Sequence, residues 1–441
     1  MGDAGARRYA QRVPKISLGL IGCGTVGGAL VDLVASRREA IAGRTGVQLE
    51  VARIAVRSPE KHRERGIPSE LLTDDPRSVA EDPDVDLVVE LIGGIEPARS
   101  LILRALELGK PVVTGNKELL AQHGPELYAA AAAAGVDLLF EAAVAGGIPL
   151  VRVLRESLVG EDVTRVTGII NGTTNFILTK MSEEGADYAE ALSEAQKLGY
   201  AEADPTADVE GFDAGAKAAI IASIVFGVRI SSQDVHHEGI SAVTATDIAT
   251  ARRLGYVIKA LAVIDSEVGD DGPEIGVRVH PAMVPINHPL ASVNDSFNAI
   301  FVEGAAVGEL MFYGRGAGGD PTASAVLGDV VDAAVNLING DAARLVIGEP
   351  GRVRAVDSTC SQFYLTVEVS DRPGVLAQVA SIFGDHGVSI QTMEQWGSGD
   401  GAELCFILHE TSTRAVRETL DELAQVDAVH GIGSVIRLVD R

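Results

Sequence analysis

The chain has 441 residues, of which 46% are hydrophobic and 22% charged, a composition that excludes wholesale disorder. At roughly 150 residues per domain, this length predicts about three domains. Its 37 lysines and arginines against 62 acidic residues give a net charge of −25, which disfavours nucleic acid or an anionic membrane as partner and favours small molecules. The cysteines, Cys23, Cys360 and Cys405, form neither a disulfide framework nor a zinc-ligand spacing, which is typical of the reducing cytoplasm.

The N-terminal residues 1–15 are basic and lack the apolar stretch of a signal peptide, so we predict a disordered tail there. No run approaches the ~20 uninterrupted apolar residues that a membrane span needs. The apolar run 218–228 is much shorter than that and predicts a buried helix.

From residue 16 to residue 145, short β-rich runs alternate with helical ones. This alternation is typical of a parallel sheet wrapped by helices and predicts an α/β fold. The predicted strands cover 16–22, 47–56, 86–93, 110–115 and 136–144.

Two further regions follow this first domain. Residues 146–340 predict an α+β domain, with a proline-punctuated loop at 280–290 and a helix at 326–338. The alternative for this last helix is a return to the first domain. Residues 341–360 have the composition of a linker. A β-α-β pattern resumes in 361–441 and predicts a small third domain.

The run Gly22-Cys23-Gly24-Thr25-Val26-Gly27 follows the first predicted strand and opens a helical stretch. In this context Gly22 permits a tight turn, Gly24 lets the backbone approach a pyrophosphate, and Gly27 allows close packing of helix on strand. The motif predicts dinucleotide binding at a helix N-terminus. The alternative is a related fold that has lost its ligand.

The end of the second strand bears on the choice of cofactor. An acidic residue there would bind the ribose hydroxyl of NAD, but this strand is followed by Arg57, with Lys61 and Arg63 behind it. These cations could neutralise a 2′-phosphate, which favours NADP(H). NAD(H) stays an alternative, because the same residues could be solvated loop cations.

Two charged residues follow later strands of the same domain. Lys117 lies just past a predicted strand end, where open parallel sheets bind ligands, and is a candidate to meet cofactor or substrate. Glu141 precedes small residues whose backbone carbonyls could face a hard cation. The plain alternatives are a surface charge for Lys117 and a capping residue at a domain crossover for Glu141.

The densest charged segment is 199–217, where five carboxylates precede one cation, Lys217. The five are Glu202, Asp204, Asp208, Glu210 and Asp213. Asp213 and Lys217 are four residues apart and would share one face of a helix, beside an apolar run. Partial burial would tune the lysine pKa for acid/base chemistry, while the acids could hold a substrate ammonium. The alternatives are a solvated acidic loop or a calcium loop, although the spacing fails the EF-hand pattern.

Two uncharged motifs complete the pattern. Asn171–Asn175 supplies hydrogen-bond donors and acceptors, which suit either a polar substrate or a simple turn. Gly314–Gly319 precedes a helix predicted to begin near Pro321, so it either meets the cofactor or forms a flexible loop.

In this order along residues 16–340, the motifs resemble those of the homoserine dehydrogenases, most specifically in the acidic segment that ends in Lys217. Residues 361–441 resemble an ACT domain, a regulatory module of many bacterial members. The resemblance implies a Rossmann-like dinucleotide-binding domain, an α+β catalytic and dimerisation domain, and a ferredoxin-like βαββαβ domain. It also implies reversible NAD(P)H-dependent reduction of L-aspartate 4-semialdehyde to L-homoserine, on the route to threonine and methionine.

The resemblance also assigns roles to single residues. Lys217 becomes the catalytic acid/base, with Lys117 at the junction of cofactor and substrate. The implied substrate residues are Glu202, Asp208 and Asp213. The implied cofactor residues are Gly22, Gly24, Thr25, Val26, Gly27, Arg57, Lys117 and Gly318. A monovalent cation, Na⁺ or K⁺, would be held by Glu141 and the carbonyls of Val144, Gly146 and Ile148.

The ACT-like region implies an assembly and an effector. Such modules commonly pair between chains, so we expect a homodimer or homotetramer, with L-threonine as the effector near 371–376. Ser389 stands where the family often has Asn, and a domain kept only for dimerisation is the alternative.

A non-catalytic sensor of dinucleotide and amino acid is the alternative to an enzyme. An acyl-enzyme dehydrogenase is disfavoured because no cysteine lies in the catalytic region.

Overall fold

The computed structural model of the chain describes residues 13–63, 66–269, 272–342, 345, 347–397 and 401–439. Most of the predicted tail lies outside these residues. The described chain forms two compact units, one from Met1–Gly147 with Ala317–Val346 and one from Ile148–Gly316 with Ile347–Arg441.

The first unit is a parallel six-stranded sheet of order β3-β2-β1-β4-β5-β6. Its elements are β1 Lys15–Ile21, α1 Thr25–Thr45, β2 Gln48–Ala55, α2 Pro59–Arg63, β3 Leu72–Thr73, α3 Pro76–Glu81, β4 Leu87–Glu90, α4 Ala98–Glu107, β5 Val112–Thr114, α5 Lys117–Ala134 and β6 Leu138–Leu139. This order is that of a Rossmann fold, in which the chain changes direction between β1 and β4. The predicted α/β class is confirmed.

Two strand predictions need correction. The predicted strand 136–144 is only two residues long, because the chain turns into a 3₁₀ helix at Glu141–Ala143. The two-residue strand β3 was not predicted, since so short a segment carries no alternating pattern.

The second unit contains one mixed sheet and the helices packed on it. Its first part comprises β7 Val163–Ile169, α6 Gly172–Glu184, α7 Tyr188–Leu198, α8 Thr206–Val209, α9 Phe212–Phe226, β8 His236–His237, α10 Ala245–Arg253, β9 Tyr256–Gly269, β10 Gly272–Pro285, β11 Phe297–Gly304 and β12 Gly308–Arg315. The loop predicted at 280–290 is wrong, since residues up to Pro285 continue β10. Its prolines are tolerated because β10 is paired along its length on one side only, with β9.

The next helix, α11 Gly319–Asn339, returns to the first unit and packs on α1. Val326 and Val330 lie in the core of that unit, and the buried Asp329 accepts a hydrogen bond from the N–H of Glu141 at 2.7 Å. By length and composition alone, α11 could cross a membrane. Its apolar face is instead part of a protein core.

The C-terminal elements are β13 Cys360–Ser370, α12 Val375–Asp385, β14 Ile390–Gly397, β15 Gly401–Leu408, β16 Thr411–Ser412, α13 Thr413–Leu423 and β17 Val429–Leu438. The strand order β17-β13-β15-β14 confirms the ferredoxin-like βαββαβ arrangement. Residues Arg437 and Leu438 of β17 also pair with Ala282 and Met283 of β10, so this subdomain continues the sheet of the second unit.

The segment with linker composition is also held in place. The carbonyl of Glu349 accepts from the N–H of Arg229 at 3.1 Å, and the N–H of Arg354 donates to the carbonyl of Ile275 at 2.9 Å. These bonds attach the part of the segment around Glu349 and Arg354 to the second unit.

Candidate active site

The turn after β1 is shaped by its glycines. Gly22 has φ 104°, and a Cβ there would lie 2.8 Å from the carbonyl oxygen of Leu91. A Cβ on Gly27 would meet the carbonyl oxygen of Gly22, whereas one on Gly24 would find open space. The outer two glycines therefore permit close packing, and the middle one leaves room beside the turn.

The N-terminus of α1 suits an anion. Gly24 is the N-cap residue and offers no side-chain hydrogen bond, and the first turn contains no acidic residue. Thr25 is exposed and Val26 is half-buried. Helix N–H groups without a side-chain cap, together with the positive end of the helix dipole, fit the pyrophosphate of a dinucleotide.

A buried carboxylate beside this turn was absent from the sequence predictions. Glu90 is the last residue of β4, and its Oε1 accepts the N–H groups of Ile92 at 2.8 Å and Gly93 at 3.1 Å. The hydroxyl of Thr114 donates to its Oε2 at 2.6 Å. Glu90 thus ties the loop after β4 to the end of β5. An acidic residue at the end of an apolar strand, just before two glycines, was the available signal.

The other predicted cofactor residues lie in the same unit. Arg57 is exposed and lies two residues past β2. Lys117 is the first residue of α5, whose N-cap residue Asn116 accepts from the N–H of Leu119 at 3.1 Å. Gly318 is the N-cap residue of α11, with φ 123°. Arg57 and Lys117 both follow the carboxyl ends of parallel strands, the edge at which this fold binds ligands.

The predicted cation segment forms a tight turn. The side chain of Glu141 is buried, and Ala145 and Gly146 both have φ 56°. Within the described ranges, no three His, Cys, Asp or Glu residues form a group that could hold a metal ion. A cation at this turn would therefore depend mainly on backbone carbonyls.

Helix α9 places Lys217 in the interior of the second unit, where the residue is only 9% exposed. Its Nζ donates to Oδ2 of Asp213 at 2.6 Å and to the carbonyl oxygen of Ile170 at 2.8 Å. The helical spacing predicted for this pair is therefore present. A buried ammonium held by one carboxylate and one carbonyl is suited to exchange a proton with a neighbouring oxygen.

A second carboxylate joins this pair through an amide. Asn171 donates from Nδ2 both to Oδ1 of Asp208 at 2.7 Å and to Oδ2 of Asp213 at 2.9 Å. Thr173 lies close to the other oxygen of Asp208, with its hydroxyl at 3.3 Å from Oδ2. Asn171 and Thr173 of this motif, which was ambiguous in the sequence, thus contribute directly to the cluster around Lys217.

The remaining acids of the segment lie elsewhere. Glu202 is exposed, and its backbone carbonyl accepts from Gln196 at 3.1 Å. Asp204 accepts hydrogen bonds from Thr206, which lower the pKa of this exposed carboxyl below its usual value. Glu210 accepts from the hydroxyl of Ser241 at 2.8 Å. Two of the five carboxylates therefore converge beside Lys217.

Comparison with protein-family models agrees with this architecture. Residues 22–141 match the homoserine dehydrogenase NAD binding domain, residues 149–331 match homoserine dehydrogenase, and residues 363–428 match the ACT domain. Fold and site together define a nucleotide-dependent oxidoreductase that acts on a small molecule.

Individual relatives narrow this class. The homoserine dehydrogenase of Corynebacterium glutamicum is 50% identical over 431 residues, covering 96% of this chain and 95% of its own. That of Mycobacterium tuberculosis H37Rv is 48% identical over 437 residues, covering 96% and 97%. The chain belongs to the homoserine dehydrogenase family.

Solved structures give the same result. The crystal structure of a homoserine dehydrogenase from Thiobacillus denitrificans has a TM-score of 0.90 at 41% identity, covering 97% of this chain and 98% of that one. A hyperthermophilic archaeal homoserine dehydrogenase mutant in complex with NADPH has a TM-score of 0.62 at 29% identity, covering 73% and 98%. The match to the Thiobacillus denitrificans structure thus includes the sheet of the first unit and the C-terminal subdomain.

Proposed function

We propose that the chain catalyses reversible hydride transfer between NAD(P)H and L-aspartate 4-semialdehyde, with L-homoserine as the reduced product. The observation that carries this proposal is the buried Lys217, held between Asp213 and the carbonyl of Ile170. The nicotinamide, when bound, supplies or accepts the hydride. Lys217 gives a proton to the oxygen of the aldehyde as it becomes an alkoxide, and takes it back in the reverse direction.

The carboxylates serve binding and orientation in this proposal. Asp213 fixes the ammonium of Lys217 and, with Asp208 and the exposed Glu202, provides negative charge for the ammonium of the amino-acid substrate. Lys117 is assigned to the junction of cofactor and substrate, supported by its place at the start of α5. None of these steps needs a nucleophile or a redox metal.

For the cofactor we propose a preference for NADP(H). Arg57 follows β2 where an acidic residue would bind the ribose of NAD, and its exposed guanidinium is suited to a 2′-phosphate. The archaeal relative in complex with NADPH is consistent with this choice. Gly22, Gly24, Thr25, Val26, Gly27 and Gly318 complete the proposed cofactor site.

A monovalent cation at Glu141, Val144, Gly146 and Ile148 is also proposed. The buried carboxylate of Glu141 and the left-handed conformation of Ala145, a residue that rarely adopts it, support a turn shaped for a function. Na⁺ and K⁺ both prefer oxygen ligands of this kind. Loss of activity on dialysis into a buffer with only tetramethylammonium, and its recovery with Na⁺ or K⁺, would test this site.

Regulation by L-threonine through the C-terminal subdomain, a homodimer or homotetramer, and a cytoplasmic location complete the proposal. The loop before α12 supports effector binding, because Gly374 caps that helix without a side-chain bond, leaving N–H groups for a carboxylate. Tyr364 and Ile436 belong to the same buried core as Phe176 of α6, so the subdomain shares a core with the rest of the second unit. Deleting the C-terminal subdomain would expose this core. Threonine inhibition should therefore be tested on the whole 441-residue chain.

The decisive experiment is a turnover assay of the full-length chain with L-homoserine and NADP⁺ or NAD⁺. We expect NADPH formation and inhibition by millimolar L-threonine. A folded protein that binds NADPH but shows no turnover would contradict the enzymatic proposal and favour a sensor of dinucleotide and amino acid. Turnover that is indifferent to threonine would restrict the C-terminal subdomain to assembly.

A further inference from the structure

Asn171 stands out among the buried polar residues of the second unit. It is 5% exposed, it caps α6, and its side chain reaches both Asp208 and Asp213. We propose that Asn171 is a positioning residue whose amide group ties Asp208 to Asp213 and so holds Asp213 against Lys217. This inference rests on the role proposed above for Lys217.

The orientation of the amide follows from its partners. Oδ1 of Asn171 accepts the N–H of Thr174 at 2.9 Å, which is the capping bond of α6. The NH₂ group must then face the carboxylates, since the reverse orientation would place an amide oxygen against two acceptors. One side chain thus performs two separable tasks, capping through its oxygen and bridging through its nitrogen.

The bridge counters a repulsion. The nearest oxygens of Asp208 and Asp213 lie within hydrogen-bond distance of the same nitrogen, so two carboxylates share a small, largely buried space. Like charges at such separation disfavour each other's ionised form unless donors stand between them. Asn171 is uncharged and donates to both carboxylates, so it offsets part of this repulsion.

The backbone keeps this bridge in a fixed place. Ile170, the residue before Asn171, provides the carbonyl that accepts from Lys217, so consecutive residues hold the lysine and its carboxylate. The following residue, Gly172, packs closely, because a Cβ there would lie 2.7 Å from the carbonyl oxygen of Ser296. The turn between β7 and α6 is therefore a rigid support for the lysine.

The test separates bridging from capping. Asn171→Ser keeps a good capping residue but removes the NH₂ group, and Asn171→Asp keeps the cap and places an oxygen against the carboxylates. Both changes leave more unshielded negative charge near Lys217, so its ammonium should hold its proton to higher pH. Lys217 must be unprotonated to accept the proton in homoserine oxidation, so we expect the acidic limb of the kcat/KM profile for that direction to move up by roughly one pH unit, more for Asp than for Ser.

The matched control is Asn175→Ser on the same helix. Asn175 is equally buried, but its amide donates to the backbone carbonyls of Val293 and Phe297. This change should lower the melting temperature and leave the pH profile in place. An equal shift in all three variants would show a merely structural effect and overturn the proposal.

A second readout does not depend on turnover. Competitive acetylation with trace acetic anhydride, followed by peptide mass spectrometry, reports the pH at which Lys217 loses its proton. The midpoint should rise in both Asn171 variants, and an unchanged or lower midpoint in folded protein would overturn the inference. If the wild type failed to oxidise homoserine, the proposed function would fail while this measurement still decided the role of Asn171. Should the Asn171 variants not fold, Asp208→Asn tests the bridge from its other end, and its midpoint should fall.

Discussion

Two lysines of the second unit, Lys217 and Lys259, are buried in contrasting surroundings. Lys217 is connected to Asn171, the N-cap residue of α6, through Asp213, and Lys259 donates directly to Asn175 of α6. Lys217 is 9% exposed and contacts the carboxylate of Asp213, which Asn171 also contacts. Lys259 on β9 is 3% exposed and contacts neutral oxygens, those of Val293 at 2.6 Å, Asn294 at 3.2 Å and Asn175 at 3.3 Å.

The neutral surroundings of Lys259 disfavour its charged form. Burial lowers the pKa of Lys259 to about 8, and the carboxylates of Glu183 and Asp295 offset only part of that effect. Its hydrogen bonds anchor the segment before β11 rather than a reacting group. Burial is therefore common to both lysines, and the carboxylate in contact with the Lys217 ammonium is the feature that separates them and supports the role proposed for Lys217.

The largest expected effect is on kcat, and it separates the roles proposed for Lys217 and Lys259. Lys217→Met should reduce kcat by ~10²-fold or more, because the proton donor is lost, while NADPH affinity is kept. Lys259→Met is the matched control and should retain most of the turnover. Retention of more than a tenth of kcat by Lys217→Met, in a titration that also reports NADPH binding, would remove Lys217 from the acid/base role.

The second prediction concerns stability against pH. Lys259 has a folded pKa of about 8 against an ordinary value of 10.5, so between these pH values the unfolded chain binds more protons than the folded one. Stability should therefore rise with pH across this window, by up to about 3 kcal/mol, and the penalty is fully present below pH 8. Urea unfolding of wild type and Lys259→Met from pH 7 to 10.5 measures the difference. Parallel curves would show that Lys259 titrates normally.

The contrast between the lysines also shows what the sequence could predict. Lys217 was identified because acids precede it at helical spacing, a pattern visible in one dimension. Lys259 is a single charge in a strand, and only the packing of β9 under α6 buries it. Asn171 was noticed as part of a motif, but its two carboxylate partners lie 37 and 42 residues away in sequence.

The glycine turn after β1, like Lys217, could be predicted from a pattern of nearby residues. The spacing of Gly22, Gly24 and Gly27 reflects local conformation, so the sequence was sufficient to predict the turn, the helix and the sheet around it. The attachment of β17 to β10 could not be predicted, because it rests on two residue pairs between strands far apart in sequence. Patterns among neighbouring residues predict helices, strands and turns. Contacts between residues far apart in the sequence decide which polar groups meet.

An exposed cation extends the comparison to the first unit. Arg57→Ala should weaken NADPH by roughly 1.5 to 3 kcal/mol, the loss expected for a charge-assisted bond to a 2′-phosphate. NADH should bind almost as before, because it lacks that phosphate. Arg77→Ala, which removes an exposed cation of α3 that is paired with Glu81, is the control and should change neither affinity. Equal losses for both cofactors in isothermal titrations would contradict the proposed preference.

The smallest expected effects belong to two cations that are neither buried nor at a ligand site. Arg253 of α10 lies 3.8 Å from the ring centre of Trp396 and donates to Glu394 at 2.6 Å, so it joins α10 to β14. Because the pair is well solvated, Arg253→Ala should cost only ~0.5–1 kcal/mol of unfolding free energy, most of it from the cation–π contact.

Arg417→Ala, which removes an exposed ion pair with Asp357, should cost less still. Urea unfolding at low and high salt distinguishes the two, since the ion-pair part is screened and the ring contact largely persists. A loss at Arg253 of ~3 kcal/mol, as large as the pH effect expected from Lys259, would mean that α10 and β14 form one cooperative element, in which case exposure would be a poor guide to how much a cation stabilises this protein.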